Sequence, residues 1–204
     1  METGDPNNLY VIDTSSGIRL NLHDPRPEDI RVADVAGGLS KVCRFGAQAR
    51  EYYSVAQHAL LVRKLVVEGG YPKLELAALH HDSHEAYLCD IPKPLKKMIS
   101  QATDAYDLTC DALDLAISGA FGFEWPEQGS PERRAIKDAD RQALLMEAER
   151  LLVDHGEALR RDLGIGEKEF RNFATLENPL PPEKAKERFL GAHTELTGDA
   201  LRTS

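Results

Sequence analysis

The sequence holds no apolar run approaching the roughly 20 residues that cross a bilayer, which predicts a chain without a membrane span. Its three cysteines, Cys43, Cys89 and Cys110, are odd in number and widely spaced, and no Cys-x-x-Cys pair is present to clamp zinc or run thiol exchange. A reducing cytoplasm is the expected setting. The opening METGDPNNLY lacks the basic flank and apolar core of a signal peptide, so export is not expected. Positive charge is also scarce: 25 Lys plus Arg stand against 34 Asp plus Glu, a formal net charge of −9. Polymeric nucleic acid or an anionic membrane would need a broad basic face that releases counterions, and neither is an expected partner. An anionic small molecule remains open where local cations help. Internal repeats and low-complexity tracts are absent, and little of the chain reads as strand.

What is there is a chain of 204 residues, 42% hydrophobic and 29% charged, long enough for one domain to build its core without disulfides or a structural metal. Residues 9–22, LYVIDTSSGIRLNL, read as two short strands around a polar turn. After Pro25 and Pro27, Glu28 and Asp29 lead into a helix that Gly37-Gly38 weakens. Val55, His58, Ala59, Val62 and Val66 recur at helical spacing, with Ser54 as N-cap and Gly69-Gly70 as stop. Pro72 opens a further helix through KLELAALHHDSHEAYL, and Asp90-Ile91-Pro92-Lys93-Pro94 breaks the pattern. Long helices follow from about Ala102 to Phe121, and from Ser130-Pro131 to Gly156. The expected organisation is a single domain over 1–204: an N-terminal hairpin at 9–22, a helical core at about 25–155 and a helical C-terminal extension at about 156–204.

Four side chains stand out as potential metal ligands: His58, the adjacent His81-Asp82 and Asp140. The gaps of 23 and 58 residues (81 − 58 and 140 − 82) place them on different helices of a bundle, where inward-facing groups can meet at one ion. Two imidazoles and two carboxylates suit Mn, Co, Fe, Zn or Ni, and the set does not choose among them. The apolar run before His81 would bury Asp82 and Glu85, and a bound cation would compensate that cost. Asp138 is the rival of Asp140, but residues two apart on a helix face about 200° apart, so one of them alone can enter the site.

The order His58, His81-Asp82, Asp140, with YSVAQHA around the first and ALHHDSHEAYLCDIPKPLK around the second, resembles the HD-domain metal-dependent phosphohydrolases. Within them it is similar to the branch of bacterial deoxynucleotide 5′-nucleotidases and phage dATP triphosphohydrolases, over the stretch from the hairpin to about Leu152. The resemblance implies an all-α HD-domain bundle with a small N-terminal hairpin, and one divalent metal ion (Mn, Co, Zn, Fe, Ni or Mg) on His58, His81, Asp82 and Asp140. It implies hydrolysis of a deoxynucleotide, either a monophosphate to nucleoside and phosphate or a triphosphate of the dATP kind. Glu85 matches the glutamate that orients or deprotonates water, and Asp90 an acidic residue near the leaving group. Lys96 and Lys137 match phosphate-binding lysines, Arg44 a phosphate contact, and Phe45 an aromatic that packs on the nucleoside. Many relatives carry Gly-His where Gly46-Ala47 stands, which leaves base selectivity open. Homo-oligomers, as dimers or larger rings, are implied as well. Between Asp82 and Asp140 the one histidine is His84, expected to project from another side of the helix, so a single-metal site is favoured. The competing expectation is a nucleotide-binding regulatory HD module that has lost hydrolysis.

Overall fold

The computed structural model describes residues 9–165 and 176–198. The parts of the expected C-terminal extension at 166–175 and 199–204 lie outside the described residues. Strands β1 (Val11–Asp13) and β2 (Arg19–Asn21) pair antiparallel with Ile12 opposite Leu20, and form the one sheet among the described residues. Everything else regular is helix, so the fold is all-α with a small N-terminal hairpin. Among the described residues, no helix is long and apolar enough to cross a membrane.

The hairpin is stapled to the first helix, α1 (Val32–Leu39), by one carboxylate. Asp34 accepts hydrogen bonds from the Ser15 hydroxyl (2.7 Å), the Ser16 hydroxyl (2.6 Å) and the Ser16 N–H (2.8 Å). Burial opposes its charge, but the Ser16 and Ser15 donors outweigh it and hold its pKa below the ordinary 3.8.

Helix α2 (Val55–Glu68) starts where Ser54 accepts a hydrogen bond from the Gln57 N–H, as its sequence predicts. It carries two buried faces. Val55, Ala56 and Ala59 pack with Val35 and Leu39 of α1, with Leu113 and Ile117 of α6 (Ala105–Phe121), and with Phe189 of α9 (Pro182–Thr197). Val62, Leu65 and Val66 pack with Ala77 and Ala78 of α3 (Glu75–Leu79), and with Ile136, Ala143 and Met146 of α7 (Pro131–Leu151). Each fully buried aliphatic side chain contributes on the order of 1.5–3 kcal/mol, so α2 is the pillar on which both clusters rest. Ser130 caps α7 by accepting from the Arg133 N–H, with Pro131 in the first turn. A short α8 (Glu157–Asp162) follows.

The helix expected to reach Gly156 ends at Leu151, and two further stretches depart from the sequence reading. The helix expected through 73–88 ends at Leu79, residues 80–84 form turns, and α4 (Glu85–Leu88) restarts it. The cause is tertiary: the His80 ring is wholly buried, its Nδ1 on the Ser83 hydroxyl (2.8 Å) and its Nε2 on His193 Nδ1 of α9 (2.9 Å). Burial and the neighbouring His193 keep it neutral, well below its usual pKa. Second, the stretch read as a break contains the start of α5 (Lys93–Ala102). Pro92 and Pro94 there initiate a helix, since the first turn needs no N–H from them. The Gly37-Gly38 pair also has a purpose: a Cβ on Gly38 would come 2.6 Å from the Ala86 carbonyl, so the glycine lets α1 and α4 touch.

Because the folded pKa of Asp34 is depressed, its contribution is complete above 3.8 and is lost as pH falls below that value. Asp34→Asn is expected to cost about 1–2 kcal/mol in urea unfolding at neutral pH. It should also lessen the loss of stability below 3.8. Parallel stability curves for variant and wild type would contradict the staple.

Candidate metal centre

Three elements bring the four expected ligands together. His58 comes from the first turn of α2, His81 and Asp82 from the turn between α3 and α4, and Asp140 from α7. One donor atom from each lies within 4.8 Å of the others. His58 Nε2 is 3.1 Å from Asp140 Oδ1 and 3.6 Å from Asp82 Oδ2. His81 Nε2 is 3.2 Å from Asp82 Oδ2 and 3.8 Å from Asp140 Oδ1, and the two Nε2 atoms are 3.2 Å apart. Donors bound at about 2.1 Å to one ion sit roughly 3.0–3.4 Å from each other, so the cluster has the dimensions of a coordination shell. Asp138 is exposed on another face of α7.

The imidazoles are oriented for this task. His81 Nδ1 donates to the Ala78 carbonyl at 2.9 Å, and His58 Nδ1 meets Glu147 Oε1 at 2.7 Å. In both rings the outer nitrogen is engaged and Nε2 points inward with its lone pair free for a cation. Burial opposes a charge on His81, yet Asp82 and Asp140 raise its pKa well above the usual value. Without an ion the site thus collects protons. Five carboxylates (Asp82, Glu85, Asp90, Asp140, Glu147) meet two permanent cations, Arg44 and Lys96. A divalent cation fits both the donor set and this surplus of negative charge.

Glu85 is buried at the first residue of α4. Its Oε1 accepts from Lys96 Nζ at 3.1 Å, and its Oε2 has no hydrogen-bond partner. Burial, then the charges of Asp82 and Asp90, push the carboxyl up to about 7 against the pull of Lys96 and Arg44. Asp90 Oδ2 accepts the Phe45 N–H at 3.1 Å. That bond anchors a bend in which Phe45, Gly46 and Ala47 all have positive φ, a conformation that costs free energy in Phe and Ala. The Phe45 ring is half-buried against Tyr53, Leu151 and Leu176, 5.8 Å from the Arg44 guanidinium. Lys137 is exposed, one turn before Asp140.

The structure places His84 differently from the sequence reading and gives Arg44 a partner besides. Arg44 is buried, and its Nε and Nη2 donate to Glu147 Oε2 at 3.3 and 3.1 Å, while Nη1 lies 3.8 Å from Asp82. His84 does not project away from Asp82. Helical spacing does not govern a turn, and a donor atom of His84 lies within 4.8 Å of Asp82 and Glu85. Its Nδ1 pairs with Asp114 at 2.9 Å, which raises its pKa to about 10 against the effect of burial. In this second trio Asp114 holds His84 Nδ1 and Lys96 holds Glu85 Oε1, so two of its members already have partners.

Glu147 is the residue the sequence reading missed. It is wholly buried and seven positions after Asp140, two turns along the same face of α7, a spacing that could have revealed it. A cavity of about 420 Å³ beside α2 and α9 lies apart from the centre: its cations Arg63, Lys64 and Arg188 pair with Glu75, Glu68 and Glu177.

Fold and site together define an all-α protein with a His and Asp cluster able to hold a metal ion. No family model matches the chain. It is 40% identical over 141 residues to an uncharacterized protein of Rhodobacter capsulatus, a match covering 67% of this chain and 70% of that protein. It is 32% identical over 189 residues to the uncharacterized protein YfdR of Escherichia coli, covering 93% of this chain and 97% of YfdR. The chain belongs to the family of these two proteins, whose names assign no activity, so the chemistry is argued from the site.

Titration with Mn or Co should raise the melting temperature. At a hundredfold excess over Kd, binding adds about 2.7 kcal/mol, roughly 5–10 °C for a chain of this size. Asp140→Ala should abolish the shift. An equal shift in wild type and variant would refute the ligand set.

Proposed function

We propose that the chain is an HD-domain phosphohydrolase that uses one divalent metal ion to hydrolyse deoxynucleotides. The observation that supports this most is the convergence of His58, His81, Asp82 and Asp140 with an unpartnered, buried Glu85 oxygen beside them. A divalent cation held there would polarise a phosphoryl oxygen and acidify water.

The chain's own groups divide the remaining work. Glu85 Oε2 takes the proton from the water that attacks phosphorus, and its elevated pKa suits a base working near neutrality. Lys96 keeps Glu85 in place through Oε1 and offers its remaining N–H donors to a phosphate oxygen. Asp90 Oδ1 remains for the leaving-group side, because Oδ2 is tied to the Phe45 N–H. Arg44 reaches phosphate through Nη1 alone, since Glu147 occupies its other edge. The half-buried Phe45 ring offers a flat apolar surface to a nucleoside, where a 2′-hydroxyl would be left without a partner.

Glu85 with Asp90 favours a monophosphate, and Lys96 with Lys137 favours a triphosphate. A panel of dNMPs and dNTPs with Mn, Co or Mg, read by phosphate release and nucleoside chromatography, separates the two. Glu85→Gln should lower turnover by about 10²–10⁴ while metal binding persists. Tight nucleotide binding without turnover by any metal form would replace this reading with the regulatory module.

A further inference from the structure

We propose that Glu147 is a positioning residue of the metal centre, which fixes His58 with its proton on Nδ1 and its Nε2 turned to the ion, and that Arg44 acts through it. This rests on the metal reading above. The geometry is specific at both ends. Glu147 Oε1 lies 2.7 Å from His58 Nδ1, and Oε2 accepts both Nε and Nη2 of Arg44. The carboxylate is wholly buried, as is the imidazole.

A buried Arg–Glu pair is a poor means of gaining stability, because desolvation offsets most of the attraction and apolar residues of the same volume pack as well. The arrangement gains its point from the third member. A carboxylate hydrogen-bonded to the outer nitrogen makes the inner nitrogen a stronger donor and prevents ring rotation. His81 has only the neutral Ala78 carbonyl in that place, so His58 is the more strongly donating of the two. Arg44 saturates Oε2 with two N–H donors, which offsets the burial of the carboxylate and holds Oε1 toward His58. Asp140 and Glu147, two turns apart on α7, let one helix supply both a ligand and the partner of a ligand on α2.

The test uses the full chain and Co(II), with affinity read from equilibrium dialysis and coordination from visible absorption. Glu147→Gln keeps an acceptor but removes the charge, and its Co(II) affinity should fall about 10–100-fold with an unchanged circular dichroism spectrum. The paired variant Arg44→Met with Glu147→Leu removes the whole ion pair while filling the space, and should show the same loss even if the single variant folds poorly. Affinity within twofold of wild type in a folded variant would overturn the proposal. In the zinc-loaded wild type, imidazole ¹⁵N shifts should place the His58 proton on Nδ1, and a proton on Nε2 would overturn it independently of any variant. Absence of Co(II) binding by the wild type would instead refute the metal reading.

Discussion

Crowded carboxylates must meet positive charge, and this protein gathers five of them, with Glu85 and Glu147 buried and Asp140 partly open to water, around two imidazoles in a helical bundle. Arg44 and Lys96 answer part of that charge, and the remainder calls for protons or a cation. The surrounding carboxylates raise the pKa of both His58 and His81 against the effect of burial. A divalent ion offers the same compensation without protonating its own ligands.

The fold exists in large part to hold these groups still. Helix α2 is buried on both sides, so His58 cannot move without disturbing two apolar clusters. The turn carrying His81 and Asp82 is held from behind by His80, which joins Ser83 to His193 of α9. Gly38 lets α1 meet α4 closely enough to seat Glu85. The bend at 45–47 carries backbone strain, which the hydrogen bond from the Phe45 N–H to Asp90 helps to offset, and a Cβ on Gly46 would run into Pro92.

Much of this was legible in the sequence, for identifiable reasons. Ser54 announces a helix start through local capping chemistry and caps as expected, and the start expected near Ser130-Pro131 is capped by Ser130 as well. The spacing of His58, His81, Asp82 and Asp140 marks groups that apolar neighbours would bury. What escaped notice depends on distant partners. Residues 73–88 look like one helix until His193, more than a hundred positions away, captures the His80 ring. Glu147 goes without a role in the sequence because its partners, His58 and Arg44, are 89 and 103 residues distant. Pro92 and Pro94 interrupt the preceding pattern, yet the same chemistry opens a helix.

The most direct test of the central claim is anomalous scattering from crystals of the full chain grown with manganese. The account predicts one anomalous peak within bonding distance of His58 Nε2, His81 Nε2 and a carboxylate oxygen from each of Asp82 and Asp140. A fully loaded crystal with its peak elsewhere, or solution measurements finding no bound manganese, would contradict it.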